Sequence, residues 1–270
     1  MGIKTISSKI KRKISKAFAI DKGLSTGDKK ILLKLDRYQT HEIKFFGHMI
    51  KIVDSVTFLS SYDEIFKKEI YKFISGEKNI SIVDCGANIG LSTIYLKMNF
   101  PDAHIVAFEP DPNIYAALKY NIGSFGYKDI VCKNEAVSNV AGVVNFWLEG
   151  GHSGMIIDED NAKKAARIKS TRLKSVLNDY ERVTFLKIDI EGEEVNVIPD
   201  IADQLKKVDY LFLEYHSFLN RNQTLGEILT IIQAAGMRYY VEEATHKPLP
   251  FINREIYFEM DLLVNIFCYW

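Results

Sequence analysis

Apolar and polar positions along this chain change period several times, and each change marks an element. Within residues 1–20, Ile3, Ile6, Ile10, Ile14 and Phe18 recur at helical spacing with lysines between them, which predicts a basic amphipathic helix. Residues 42–59 alternate around Gly47 and predict a hairpin or paired short strands. Residues 62–74 place Ile65, Phe66, Ile70, Phe73 and Ile74 on one helical face, ended by Ser75 and Gly76. From residue 80 the pattern becomes strand, loop, helix, repeated. Strands are predicted over 80–84, 104–109, 130–134, 183–189 and 208–215, with helices over 91–100, 112–123, from Gly192, and over 224–235. Residues 143–148 read as an extra strand, 237–242 and 262–269 as closing strands, and 150–160 as a polar loop, either a lid or a plain connector. Strands alternating with helices predict an α/β fold with a mostly parallel sheet covered on both faces. Residues 1–76 form an N-terminal extension of basic helix, hairpin and helix, and 77–270 the main domain.

Bulk composition changes this picture little. At 270 residues, 47% hydrophobic and 26% charged, the chain has the make-up of a soluble globular protein with enough apolar material for a core. Basic and acidic residues balance at 35 each, but residues 1–20 hold six basic side chains and no acid, which leaves −6 on the rest. The predicted N-terminal helix therefore suits packing on the body or a partner subunit, or peripheral contact with an anionic membrane surface. Nucleic acid is not expected as a partner, since net charge is zero and the basic helix has no interleaved aromatics. Cys85, Cys132 and Cys268 form no C-x-x-C pair, so reduced thiols and a cytoplasmic location are expected. No run of 18 apolar residues and no signal-type apolar segment argue for a membrane span or secretion.

The strongest local chemistry lies in the strand-to-helix turn Asp84-Cys85-Gly86-Ala87-Asn88-Ile89-Gly90. Its glycines let backbone approach a ligand closely, at the carboxyl end of a parallel strand where such sheets bind ligands. Twenty-five residues after Asp84, the second strand ends in Glu109, an acid suited to both ribose hydroxyls of an adenosine cofactor. A dinucleotide site would prefer G-x-G-x-x-G and no leading acid, because its helix N-terminus must meet pyrophosphate. Here the turn reads G-x-N-x-G behind Asp84, which favours the amino group and sulfonium of S-adenosylmethionine.

Further strings follow in order: Phe108-Glu109-Pro110-Asp111-Pro112-Asn113, Asn134-Glu135-Ala136-Val137-Ser138 and Leu186-Lys187-Ile188-Asp189-Ile190-Glu191-Gly192-Glu193-Glu194. Together with the glycine turn they resemble the FkbM family of methyltransferases over roughly residues 78–267. The resemblance implies a class I, Rossmann-like three-layer sandwich and an S-adenosylmethionine-dependent transferase. Its acceptor would be a hydroxyl on a sugar, glycolipid or polyketide-type molecule. It also implies that Asp84, Gly86, Asn88 and Gly90 wrap the methionine and ribose, that Glu109 holds the ribose, and that Asn134, Glu135 and Ala136 edge the adenine.

Methyl transfer to an alcohol needs a nearby proton acceptor, sought at the carboxyl ends of the later strands. Asp189 is the first candidate, followed by Glu191 and His216. Glu191 and Glu194 serve equally as helix N-terminal acids, and His216 equally as a structural strand-end residue. Asp189, Glu191 and Glu214 are oxygen donors suited to Mg²⁺, but no adjacent Asp-Asn pair follows a strand and no metal is expected. Two alternatives stand beside this reading: a NAD-dependent oxidoreductase on the same kind of sheet, and a non-catalytic methyltransferase-like binding subunit.

Overall fold

A computed structural model describes residues 23–148, 154–157, 165–244, 247–254, 256 and 259–270. The basic helix expected over residues 1–20 and most of the 150–160 loop lie outside these residues. The centre of the fold is a seven-stranded sheet. Its strands are β3 (Ser81–Cys85), β4 (His104–Phe108), β5 (Ile130–Lys133), β10 (Val183–Ile188), β11 (Val208–Phe218), β12 (Arg238–Glu243) and β13 (Met260–Tyr269). Spatial order is β12-β13-β11-β10-β3-β4-β5. Neighbours from β11 to β5 pair in parallel, while β13 runs antiparallel to both β11 and β12. Strand β3 feeds β4 on one side while β10 feeds β11 on the other, so chain direction switches between β3 and β10. A crevice opens there at the carboxyl ends of the strands.

The alternation of side chains across the strands divides the core into two layers. Val83, Leu186, Ile188, Leu211 and Leu213 pack one face against α5 (Leu173–Asn178), α6 (Glu194–Asp200) and α7 (Leu225–Ala235). Ile82, Ile105, Phe185 and Phe212 pack the other against α3 (Leu91–Asn99), α4 (Pro112–Ser124) and the N-terminal segment. The central strand β10 is buried on both sides, which is why it reads as the unbroken run VTFLKI, while the edge strand β12 is exposed. A smaller four-stranded sheet, β6-β9-β7-β8, lies after β5; β6 is Ala136–Ser138, β7 Gly142–Trp147, β8 Met155–Ile156 and β9 Ala165–Arg172.

The N-terminal segment contains α1 (Thr26–Leu32), the hairpin β1 (His41–Phe45) and β2 (His48–Ile52), and α2 (Ser55–Tyr62). Leu24, Phe45, Ile50, Phe58 and Tyr62 belong to the same apolar cluster as Ile82 and Phe212 of the sheet. Asn121 of α4 ties the two parts by hydrogen bonds: its Oδ1 accepts from Lys51 N at 2.6 Å, and its Nδ2 donates to Lys51 O and Ile89 O.

Two sequence expectations are corrected in this segment. Alternation over residues 42–59 is strand only as far as Ile52, because Asp54 caps a helix from Ser55. Asp54 Oδ2 accepts from Thr57 N and Oγ1 at 3.0 and 2.7 Å, and its Oδ1 accepts from Arg37 Nε at 2.7 Å. The helix expected over residues 62–74 is instead the widened turn Asp63–Lys68 following α2, ended by the left-handed Glu69 (φ 54°). Beyond it Phe73 lies on the sheet as non-helical chain, stacked on Phe100 and Phe185. Apolar residues spaced like one helical face are here buried by two different conformations.

Candidate active site

The turn between β3 and α3 is held from two sides. Gly86 N and Ala87 N donate to Phe108 O at the end of β4, and Asp189 N donates to Cys85 O beyond the end of β10. Gly86 has φ +81°, and a Cβ there would lie 1.8 Å from Asp189 O. Only glycine fits, because the chain leaving β10 crosses directly over the turn. Gly90 (φ +91°) matters for packing instead. A Cβ there would press on Leu118 of α4 at 2.7 Å, so this glycine lets α3 and α4 approach closely.

A cavity of about 340 Å³ opens above the turn. One end is lined by Gly86, Asn88, Glu109, Asp111, Glu135 and Ala136. Glu109 is 6% exposed and braces this end, its carboxylate accepting from Asn88 N at 3.0 Å and Asp111 N at 2.9 Å. Burial pushes its carboxyl up to about 8 against those two amide donors. A carboxylate offers about four lone-pair sites. Two are taken here, which leaves acceptor capacity for hydroxyl groups entering the cavity. Asn134 faces away from the cavity; its Nδ2 donates to Glu109 O and Pro110 O, tying the end of β5 to that of β4. Glu135 lines the wall while accepting from Lys169 Nζ at 2.6 Å and from Thr171 Oγ1.

Asp84 stands behind the turn, fully buried. Its Oδ2 accepts from Ser92 and Thr93 hydroxyls, both at 2.7 Å, and so anchors the first turn of α3. Its Oδ1 lies 3.6 Å from Lys187 Nζ. Lys187 also donates to Gly86 O at 2.8 Å and pairs with Asp189 Oδ2 at 3.0 Å. Burial works against its charge, but Asp189, Tyr71 and Asp84 outweigh it and hold the ammonium firmly protonated.

Next to Gly86 on the cavity wall is a carboxylate cluster built on His216. His216 Nε2 lies 3.3 Å from Glu191, 3.5 Å from Glu214 and 4.0 Å from Asp189, while Nδ1 lies 3.1 Å from Glu194 Oε1. Burial would lower its pKa, yet Glu191, Glu194 and Glu214 raise it well above the ordinary histidine value, so the ring is an imidazolium. Burial also raises Glu214, reinforced by Asp189, and that carboxyl is held protonated. Asp189 moves the other way: burial opposes its charge, but Lys187 and His216 lower its pKa and keep it ionised. Glu191 reaches the cluster because it adopts φ 54° just before Gly192 (φ +96°), a turn that presents Asp189, Glu191 and Glu194 to one histidine. Asp189, Glu191 and Glu214 line the cavity, with His216 behind them.

Of the residues expected from sequence, Gly86, Asn88, Glu109, Glu135, Ala136, Asp189 and Glu191 meet on the cavity wall. Asp84, Gly90, Asn134 and His216 support that wall from behind. Sequence reading assigned no role to Lys187, although its two-residue spacing from Asp189 on a strand was a legible signal. The wall contributed by α2 and the turn after it, including Ser60, Ser61 and Glu64, carried no motif at all.

The strand order, the switch point and the glycine turn define a class I methyltransferase fold. Residues 84–239 match the methyltransferase FkbM domain, and the chain belongs to that family. It is 29% identical over 177 residues to methyltransferase sdnD of Sordaria araneosa, covering 53% of this chain and 68% of that protein. It is 28% identical over 197 residues to the AMB antimetabolite synthetase AmbE of Pseudomonas aeruginosa, covering 57% of this chain but only 9% of AmbE. Among solved structures it resembles the methyltransferase FkbM of Methylobacillus flagellatus, with TM-score 0.48, 16% identity, and coverage of 97% of this chain and 60% of that one. The protein is an S-adenosylmethionine-dependent methyltransferase. The cavity suits that cofactor: backbone approaches closely at Gly86, and the buried Glu109 keeps acceptor sites for the ribose. Among the described residues, no helix is long and apolar enough to cross a membrane.

Proposed function

We propose that the enzyme methylates a hydroxyl group on a sugar, glycolipid or polyketide-type acceptor, and that the acceptor enters between α2 and the carboxylate cluster. When bound, the cofactor supplies an electrophilic methyl group on a sulfonium. In this reading Gly86 and Asn88 follow the methionine and ribose, Glu109 accepts from the ribose hydroxyls, and Glu135 and Ala136 edge the adenine. The observation that carries it is the ionised Asp189 on the cavity wall, held by Lys187 on Oδ2, with Oδ1 toward His216 and a hydrogen bond shared with Glu214. An ionised carboxylate orients an acceptor hydroxyl and takes its proton as the oxygen attacks. Glu191, Glu214 and His216 then surround the neutral Asp189 carboxyl that carries the proton. Ser60, Ser61 and Glu64 line the same cavity and supply hydrogen-bonding groups for a polar acceptor.

A tritiated-methyl transfer screen tests this, using hydroxyl, amine, thiol and activated-carbon acceptors of similar size. Alkali-stable, oxygen-linked label on hydroxyl compounds is the expected result. Transfer confined to nitrogen, sulfur or carbon sinks the hydroxyl assignment. Asp189→Asn is expected to lower kcat by about 100-fold or more, with cofactor affinity changed less, as for a group acting in proton transfer.

A further inference from the structure

We propose that Asp189, Glu214 and His216 form a binding site for a divalent cation at the carboxyl edge of the sheet. One ligand atom from each residue falls within 4.8 Å of the others, close enough to share one ion. Asp189 follows β10, while Glu214 and His216 sit two apart on β11 and so project from the same face.

The histidine is oriented as a ligand, the ion displacing the protons held on its Nε2 and on Glu214. Its Nδ1 is engaged by Glu194 Oε1 at 3.1 Å, and that same oxygen accepts from Ile190 N at 3.0 Å. Glu194 is fully buried. A fixed carboxylate on one ring nitrogen, with the other nitrogen turned into a group of carboxylates, is how metal-binding histidines are oriented.

An independent feature points to the same place. Asn265 of β13 is directly opposite Glu214 in the antiparallel β11–β13 pair, so the two side chains share a face. Asn265 is 6% exposed, and its Oδ1 has no hydrogen-bond partner among the described residues. A buried amide oxygen without a donor, next to a half-buried carboxylate, is satisfied by a hard cation or by water bound to one. Carboxylate and amide oxygens with a single imidazole suit Mn²⁺ better than a softer, thiolate-seeking metal. Lys187 does not block the site. Its ammonium lies against Asp189 Oδ2 and is shared with Asp84, leaving Asp189 Oδ1 on the side of His216.

Since Asp189 and Glu214 line the cavity, a cation held there would present open positions to an acceptor oxygen. That last step rests on the hydroxyl reading above; cation binding itself does not.

The test is direct titration of the chelator-stripped full chain with Mn²⁺, followed by electron paramagnetic resonance, with neither cofactor nor acceptor present. One ion per chain is expected, with affinity lowered at least tenfold in Asp189→Asn and Glu214→Gln and several-fold in Asn265→Ala. Absence of stoichiometric binding, or equal binding by the wild type and the first two variants, overturns the proposal. If those variants fail to fold, electron spin-echo modulation of the wild-type complex decides. A directly bound ¹⁴N is expected from His216 and should vanish in His216→Phe if that variant folds; no ¹⁴N coupling in the wild type overturns the site. An acceptor that takes methyl on nitrogen or carbon would refute the hydroxyl reading while leaving this result intact.

Discussion

At Gly86, one hydrogen atom in place of a side chain decides whether the site can form. A methyl group there would overlap the Asp189 carbonyl and also meet the unfavourable φ of +81°. Gly86→Ala is expected to lower unfolding free energy by about 3 kcal/mol, as overpacking and backbone strain add; urea denaturation measures it. Glu109 offers a second residue-scale test. Its carboxyl lies at about 8 in the cofactor-free protein, raised from 4.5 by burial, so the folded state holds a proton that the unfolded chain has lost between those values. Native stability from this group therefore declines as pH climbs from 4.5 through 8. Ribose hydroxyls donate to the ionised form, so binding expels that proton. Affinity for S-adenosylhomocysteine should fall by about tenfold per pH unit below 8. Calorimetric titration of wild type and Glu109→Gln checks this: the variant should bind more weakly, with a flatter pH profile.

At the scale of elements, α2 shows how a short helix is placed on a cavity wall. Asp54 is 1% exposed and receives Arg37, Thr57 and Tyr38. Burial would raise its pKa, but those hydrogen bonds win and hold it at about 2, below the ordinary 3.8. The stabilisation is fully present above pH 3.8 and is lost as pH falls through 2, worth about 2 kcal/mol by linkage. Asp54→Ala should lower stability at neutral pH by roughly that amount and flatten the acid limb of the denaturation curve. Because Ser60 and Ser61 ride on this helix, acceptor KM should also rise in the variant. The turn after β10 works on the same scale: left-handed Glu191 and Gly192 fold three acids back onto one strand-end histidine.

For the whole molecule, the cavity is a product of the switch in strand order between β3 and β10, and ligand binding there should stabilise the entire fold. S-adenosylhomocysteine at about a hundred times its Kd adds roughly 2.7 kcal/mol, a rise of about 5 °C in Tm for a chain of this size. NAD at the same concentration should give no shift in differential scanning fluorimetry, since the family is S-adenosylmethionine-dependent. Residues 1–20 remain a proposal at this scale: their six basic side chains would bring the enzyme to an anionic bilayer. Vesicle flotation with phosphatidylserine should retain the full chain and release one lacking residues 1–20. Equal flotation of both would retire the membrane contact.

Local sequence carried the order of strands and helices from residue 80 onward, because buried parallel strands read as apolar runs and glycines punctuate them. It also carried the donor, since the G-x-N-x-G turn and Glu109 are close in the chain and chemically distinctive, although Asp84, read as facing the cofactor's charge, anchors α3 instead. The N-terminal segment was less legible: burial under a sheet asks only for apolar side chains at intervals, and residues 62–74 meet that with a widened turn and a non-helical stretch as well as a helix would. Folding alone distinguished the residues that face the cavity from those that brace it. Asp84 and Asn134 carry motif positions yet turn inward, because strand pairing and loop anchoring fix their direction after the chain has closed. The convergence of Asp189, Glu191, Glu194 and Glu214 around His216, with Asn265 opposite Glu214, joins three separate segments of the chain. No local pattern encodes such a cluster; it exists because β10, β11 and β13 are neighbours in one sheet.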